Sequence, residues 1–424
     1  MAPAVHEFSV QQALDYAQKN NVQVKNALLN VQVQAQTNRE ITGSAYPQIS
    51  GSGSMTYNYK LPVSLVPAEF FGGPPGTFEK IAFGVKWGST VGLSLSQLLF
   101  DGQVFVGLKA RNTVLDFQQK NAEVTEESIR ANIYKIYYQL VVSRTQIDLL
   151  DANLALLEKL SHDTKIMYDN GFAEKLDLDK LSVKVANLHT EKINTQNLVA
   201  NGYLGLKVLM GMPIKDSLVL TDTLNDEQIK SGILEASAFD YHQRKDYQYT
   251  ELGIKLNEFD IRRYQMAKLP TLSLNGYYNK NAQRNKFDFF GKGDWFDISA
   301  FTLNLNIPIF HGFTNNARIA KAKLALQQSL NQQEALKINI DNEIQTATNN
   351  FNSAISNLDY QKKNMGLAEA IYQQTKKKFE AGIGSQIEIN QAQTDMQAAQ
   401  TNYINSLYNA VIAKIDFLKA TGKL

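Results

Sequence analysis

One stretch of this chain occurs twice, and a duplicated sequence must fold as two copies of one unit. Val91–Arg111 reads VGLSLSQLLFDGQVFVGLKAR, and Phe301–Lys323 reads FTLNLNIPIFHGFTNNARIAKAK. Apolar residues alternate with polar ones first, at Val91, Leu93 and Leu95, and at Phe301, Leu303, Leu305, Ile307 and Ile309. That period of two predicts a strand. Each copy then turns, at Phe100-Asp101-Gly102 and at Phe310-His311-Gly312, into a predicted helix.

Proline shows where long helices can lie. The nine prolines stand at 3, 47, 62, 67, 74, 75, 213, 270 and 308. An interior Pro costs a helix about 3 kcal/mol, so the tracts 76–212 and 309–424 are the available ones. Phe8–Ile41 is predicted as a first helix, with Ser9 a candidate N-cap and Gly43 and Pro47 ending it. Ile49–Tyr59 and Val91–Leu99 are predicted strands, and Leu61–Gly88, rich in Pro, Gly and Phe, a long loop or excursion between them. Gly102 to Asn170 is predicted as one helix of about 100 Å. Along it Ile129, Ile133, Ile136, Leu140, Ser143, Ile147, Leu150, Leu154 and Leu157 recur at steps of four and three, a heptad seam. Asn170-Gly171 breaks this helix, and a second runs from about Leu176 to Leu209, where Gly211 and Pro213 stop it. Ile214–Tyr241 reads as a small side structure, and about Gln243–Lys268 as a helix. Thr271–Gly276 opens the second strand pair, and a loop with Trp295 and Phe296 precedes the strand at Phe301.

The second long helix carries Ile340, Ile344, Ala347, Phe351, Ala354 and Leu358. Subtracting 211 from each lands on Ile129, Ile133, Ile136, Leu140, Ser143 and Ile147. Ala381-Gly382 matches Asn170-Gly171, and Gly422 matches Gly211, at the same offset. The expected division is therefore an N-terminal helix (1–45), a strand pair (46–101, with loop 61–88) and a helical hairpin (102–212, tip near 170–177). A middle segment and helix (213–268), a second strand pair (269–311) and a second hairpin (312–424, tip near 381–388) follow.

Lys+Arg of 43 against Asp+Glu of 41 leaves a net charge of +2, so no strong field argues for nucleic acid. No run of apolar residues is long enough for a transmembrane helix. A β-barrel stays open, because its alternating strands barely register on hydropathy. With no cysteine there are no disulfides or thiolate sites, which fits an oxidising compartment. The N-terminus MAPAVHEF lacks the charged head and apolar core of a signal peptide. Either the protein is cytosolic, or a signal was removed and a start Met added. His6, His162, His189, His242 and His311 are scattered singly, without metal-ligand spacing, and no nucleophile motif accompanies them. No catalytic residue, cofactor or metal is expected.

The strands have one apolar face and one of Ser, Thr and Asn, as a barrel wall between lipid and water requires. Four strands cannot close a barrel, for which about eight is the practical minimum, and open edges must be paired. Several chains of four strands each solve this, and three chains give a twelve-stranded ring.

In this setting the motifs resemble those of the TolC family of outer membrane channels, the outer membrane factors of drug efflux and type I secretion. Phe8-Ser9-Val10-Gln11-Gln12-Ala13-Leu14 through Lys19-Asn20-Asn21 resembles the family's mature start. Ser44-Ala45-Tyr46-Pro47-Gln48-Ile49-Ser50 and Ala267-Lys268-Leu269-Pro270-Thr271-Leu272-Ser273-Leu274 resemble its helix-to-strand junctions. Tyr168–Asp177, YDNGFAEKLD, resembles its tip motif and is echoed by Phe379–Glu388, FEAGIGSQIE.

The resemblance implies an α+β membrane channel. Four strands per chain would enter a trimeric twelve-stranded outer membrane β-barrel, continued by antiparallel coiled-coil helices as a periplasmic α-barrel. It implies a homotrimer in the outer membrane lipid of a Gram-negative bacterium, with most of its mass in the periplasm. A periplasmic adaptor would link it to an inner membrane pump of RND or ABC type, and it would conduct small molecules or secreted polypeptide outwards. Gly171, Phe172, Leu176, Asp177, Gly382, Ile383 and Ile387 are then the adaptor-docking tips. Asp177 reads equally as a plain surface carboxylate or helix N-terminal charge. Glu388 aligns with the first of two acidic positions ringing the entrance, and an intersubunit salt bridge is the alternative. The second acidic position is Gln391, an Arg of the closed entrance is replaced by Gly384, and a Tyr by Phe379. The latch must therefore differ. Tyr57, Tyr59, Trp87, Tyr277, Trp295 and Phe296, with Tyr278, are candidate membrane-interface aromatics; packing in loops above the barrel is the other reading. The rivals are a trimeric coiled-coil scaffold or adhesin without transport, and a soluble long-helix enzyme. The paired strands with polar inner faces argue against the first, and the lack of convergent acid, base or nucleophile against the second.

Overall fold

The computed structural model describes residues 4–224, 229, 239–291 and 293–424. Much of the side structure expected over Ile214–Tyr241, residues 225–228 and 230–238, lies outside them. The chain forms two compact units. One comprises Val33–Val114 and Ile254–Gln328, the other Met1–Gln32, Leu115–Gly253 and Ser329–Leu424.

The first unit is organised on one antiparallel sheet. Its strands are β2 (Gln48–Tyr57), β5 (Trp87–Phe100), β7 (Thr271–Arg284) and β8 (Phe296–Asn306), in the order β2-β5-β7-β8. The two sequence copies thus join through β5 and β7, paired from Trp87↔Arg284 to Phe100↔Leu272 with a bulge between Leu98 and Phe100. Four boundaries differ from the sequence reading. β8 starts at Phe296, inside the expected loop, because Phe296–Ala300 pair with Asn281–Tyr277, and it ends at Asn306, before Ile307 and Ile309. β2 stops at Tyr57, because Asn58 turns to donate its N–H to Lys86 O (2.7 Å) and its Nδ2 to Val85 O (3.0 Å). β7 does not end at Gly276 but runs on to Arg284, since Tyr277–Arg284 find a full ladder on the long β5. Leu61–Gly88 is no simple loop: β3 (Val63–Pro67) and β4 (Phe78–Ala82) pair as a hairpin, and Trp87 and Gly88 already belong to β5.

The second unit is helical. Here the first predicted helix divides. Val5–Phe8 is a strand, β1, pairing in parallel with β6 (Ser217–Leu220). Helix α1 (Val10–Asn20) follows behind a capping box of Ser9 and Gln12, the reciprocal bonds that satisfy two orphan N–H groups. The chain breaks at Asn21 before α2 (Val22–Gly43), because Asn21 Oδ1 accepts from Gln23 N (2.7 Å) and Val24 N (3.1 Å). Hydrophobic pattern alone does not reveal such a break. Helices α3 (Gly102–Asp169) and α4 (Lys175–Met210) form one hairpin, α6 (Thr314–Glu380) and α7 (Gln386–Ala420) the other. Helix α5 (Lys245–Met266) precedes β7.

Most seam residues are buried: Ile129, Ile133, Leu140, Leu150, Leu154 and Leu157 in α3, and Ile340, Ala347, Phe351, Ala354 and Leu358 in α6. The buried stripe of α3 is wider than the heptad, and its largest buried side chain is Tyr137. Its hydroxyl donates to Phe8 O (2.8 Å) and accepts from Asp222 N (3.3 Å). Burial pushes the Tyr137 phenol up to about 12, so it stays neutral and ties β1 to the segment after β6.

The copies share one junction built twice from different side chains. Asn21 Nδ2 donates to Leu209 O (2.6 Å), at the end of α4. Arg244 Nη1 donates to Ala420 O (3.2 Å), 211 residues on from Leu209. Next to Arg244, His242 sits between Asp240 (Nδ1 to Oδ1 2.8 Å) and Glu251 (Nε2 to Oε1 3.2 Å), against the Tyr247 ring. The hydrogen bond to Asp240, with the Glu251 charge, raises its pKa. A raised folded-state pKa stabilises the fold fully below the unfolded value of about 6.5 and is lost as pH climbs through the folded value. Thermal unfolding in detergent should therefore show a small loss of stability above about pH 6.5. His242→Gln should flatten that slope.

Candidate functional site: an open strand wall and two helical tips

Alternation in a registered sheet assigns each side chain to a face. One face carries Ile49, Leu93, Leu95, Val91, Leu274, Leu303, Phe301 and Leu305. The opposite face carries Ser50, Ser52, Ser54, Thr90, Ser94, Asn275, Asn279, Asn281, Thr302 and Asn304, and not one charged residue lies on it. The strands are 10, 14, 14 and 11 residues long, enough for the 9–11 that a tilted membrane strand needs. Close packing holds each face. Phe301 lies over Gly276, where a Cβ would stand 2.7 Å from the ring, and Asn279 covers Gly92 on the polar side. Ser50 and Ser94 hydroxyls meet at 2.7 Å across β2 and β5.

The candidate aromatics divide between the faces. Tyr57, Trp87 and Tyr278 belong to the apolar face, whereas Tyr277 and Phe296 share the face of Ser94 and Asn281. A lipid-interface role for those two does not fit their register. Tyr57 packs on Trp87 (4.6 Å), Trp87 on Phe287 (5.0 Å), Phe287 on Phe289 (5.7 Å), and Phe289 on Trp295 (6.4 Å). These rings form a continuous cluster at the loop end of the sheet. Tyr59 lies beyond β2 and is exposed. On the apolar face at the same end, Asp297 accepts from Tyr278 OH (3.0 Å) and pairs with Lys280 (3.2 Å). The sequence reading missed that pair, which is visible only in register.

The tips are the two turns between paired helices. Gly171 (φ +84°) and Gly382 (φ +74°) take the left-handed conformation that ends a helix, which glycine adopts without a Cβ clash. Phe172 N–H returns to Met167 O (2.8 Å) and Gly171 N–H to Tyr168 O (2.9 Å). Ile383 N–H returns to Lys378 O (3.1 Å) and Gly382 N–H to Phe379 O (2.9 Å). In this motif the residue after the glycine commonly packs back on its own helix. Here Phe172 and Ile383 are each 79% exposed. Leu176 and Ile387 are exposed as well, and line with Val183, Lys184 and Gln391 a groove of about 510 Å³ between α4 and α7. Lys184 Nζ spans its floor, donating to Asn390 O (3.1 Å) and Thr394 Oγ1 (2.9 Å). Burial lowers its pKa.

The other tip residues have local duties. Asp177 makes an ion pair with Lys180 (3.8 Å) in the first turn of α4. Glu388 closes a capping box: its N–H donates to Ser385 Oγ (3.2 Å) and its carboxylate accepts from Ser385 N (3.5 Å). Gln391 Nε2 donates to Asp395 Oδ1 (2.8 Å). Asp395 stands two turns after Glu388, so a second acid lies on that face one turn beyond the expected position. The seven-residue spacing was the signal that could have found it. Gly384 accepts no side chain, since a Cβ would lie 2.9 Å from Phe379 N. Phe379 itself is half-buried on the apolar cluster of Leu157, Leu181, Tyr372 and Ile389.

A sheet with one lipid-type face, one neutral polar face and two open edges, on a chain of long helical hairpins, defines a subunit of an outer membrane channel. Residues 242–423 match the family described as outer membrane efflux protein. The outer membrane efflux protein BepC of Brucella suis is 22% identical over 97% of this chain and 85% of its own. The cation efflux system protein CusC of Escherichia coli K12 is 21% identical over 95% of this chain and 84% of its own. A crystal structure of CusC superposes with a TM-score of 0.81 at 19% identity, over 97% of this chain and 92% of that one. The Campylobacter jejuni CmeC outer membrane channel gives 0.78 at 18% identity, over 98% and 85%. The relatives and solved neighbours are thus outer membrane efflux channels of Gram-negative bacteria. The family is one of passive channels and not an enzyme class.

Proposed function

We propose that three copies close edge to edge into a passive homotrimeric duct, whose tips dock a periplasmic adaptor coupled to an inner membrane pump of RND or ABC type. The observation that carries this is the pair of open edges. β2 and β8 bound a sheet of four antiparallel strands, so β8 of one copy meets β2 of the next in antiparallel sense, and a third copy closes twelve strands. The neutral polar face then lines the lumen and the apolar face meets lipid. Small toxic compounds are the expected cargo, since an uncharged wall selects on size more than on charge. The exposed Phe172, Ile383, Leu176 and Ile387 supply the apolar knobs for the adaptor.

Detergent extraction, mass determination and planar-bilayer recording test the reading. A trimer with ion-conducting steps supports it, and a water-soluble particle that neither inserts nor conducts overturns it in favour of a scaffold. At the entrance, Glu388→Gln keeps the capping bonds but removes a charge repeated around the threefold axis. Block by multivalent cations should weaken, while unfolding changes by less than about 0.5 kcal/mol. Unchanged block would remove Glu388 from the entrance.

A further inference from the structure

The β3–β4 hairpin exposes Val63, Leu65, Phe70, Phe71, Phe78 and Phe83 to solvent. Residues 61–84 contain only Glu69, Glu79 and Lys80 as charges, and Glu69 is engaged by Gly76 N–H (3.1 Å). So apolar a surface marks an interaction site. The hairpin is rooted on the sheet, with Asn58 bonded to Lys86 and Phe83 N–H donating to Pro62 O (3.1 Å). It rises from β2, an edge strand, at the end where β8 begins.

The polar face has a matching anomaly. Among its Ser, Thr and Asn residues, Phe296 and Ile298 place apolar side chains towards that same end, on the other edge strand β8. The lipid-type face at this level carries the charges of Lys280, Asp297 and Arg284, and its rings Tyr57 and Trp87 are already packed on each other and on Phe287. We propose that the hairpin of each copy packs over the mouth of the wall onto Phe296 and Ile298 of the neighbouring copy, forming an apolar constriction at the exit. The occupant is a second copy because edge pairing of β2 with β8 sets one chain's hairpin beside its neighbour's Phe296. The proposal rests on the trimeric ring.

The absence of cysteine makes the test clean. Phe78→Cys with Ile298→Cys, oxidised in intact cells, should give interchain disulfides. In a second strain, Ser52→Cys reports access to the lumen from outside through its labelling by a bulky maleimide-polyethylene glycol. Adding Phe70→Ser, Phe71→Ser and Phe78→Ser, or Ile298→Ser alone, should speed labelling about tenfold as the closed population falls. This readout is independent of the state of the periplasmic entrance. Trimer mass in detergent is the control. A trimer with no cross-link and equal labelling rates overturns the hairpin contact alone. So does an environment-sensitive dye, attached to the thiol of the single variant Phe78→Cys, that reports lipid. A chain that forms no trimer removes the ring and the hairpin contact together.

Discussion

Gly211→Ala should be among the most destabilising single-methyl changes available to this protein, at about 3–4 kcal/mol. Gly211 ends α4 with φ +71°, and moving alanine into the left-handed region costs about 1 kcal/mol by itself. The larger part is steric. The added Cβ would lie within van der Waals overlap of backbone, 2.7 Å from Asn20 C and closer still to its carbonyl oxygen. Backbone cannot swing aside as a side-chain tip can. To relieve the overlap α4 must draw back from the α1–α2 break, and the 2.6 Å bond from Asn21 Nδ2 to Leu209 O goes with it. Gly422→Ala repeats the situation less severely, since its Cβ meets Gln243 O at 2.7 Å. Gly171→Ala isolates the conformational cost, because no atom lies within 4 Å of that Cβ. Chemical and thermal unfolding of the three variants should rank them 211, 422, 171, the last losing about 1 kcal/mol. Equal losses at 171 and 211 would show that φ alone matters and that the packing against Asn20 is slack.

Arg244→Leu is expected to cost about 2–3 kcal/mol. Arg244 is buried, donating Nε and Nη2 to the Asp246 carboxylate (3.0 and 2.6 Å) and Nη1 to Glu343 (2.7 Å) and Ala420 O. Burial works against the guanidinium charge, but the bonds to Asp246 and Glu343 outweigh it and raise its pKa. Removing one member of a fully buried pair costs about 3–5 kcal/mol. The lower figure applies because Glu343 is half exposed and Asp246 one-third exposed, so both rehydrate. The duplication supplies a sharper comparison. The matching junction uses Asn21, so Arg244→Asn, which puts that junction's side chain here, should recover part of the loss relative to leucine. Identical unfolding of the Asn and Leu variants would mean that the carboxylate pairs, and not the bond to α7, hold the junction.

The two junctions show where sequence reading reached and where it stopped. Gly211 and Gly422 are the same letter at one offset, so the repeat exposes them. Asn21 and Arg244 do one job with unlike side chains, and no pattern of letters pairs them. The same holds in the wall: alternation found the middles of β5 and β8 but not where they start, and Tyr277 reads as an interface aromatic until register sets it beside Ser94 and Ala300. The hairpin hidden in Leu61–Gly88 escaped because its prolines and glycines read as loop, although Val63–Pro67 and Phe78–Ala82 pair across them.

The sequence by itself determined the duplication, the heptad seams, the glycine turns at 171, 211, 382 and 422, and the alternating strands. These are local or periodic properties, written in neighbouring residues, and hydrophobic period and left-handed glycine need no partner to be recognised. Only the tertiary structure decided that β5 joins β7, that the polar face carries no charge, and that β2 and β8 remain as edges. It alone placed Arg244 opposite Asn21 in the repeat. Those are facts of pairing between distant residues, and one register step would move every strand side chain to the other face.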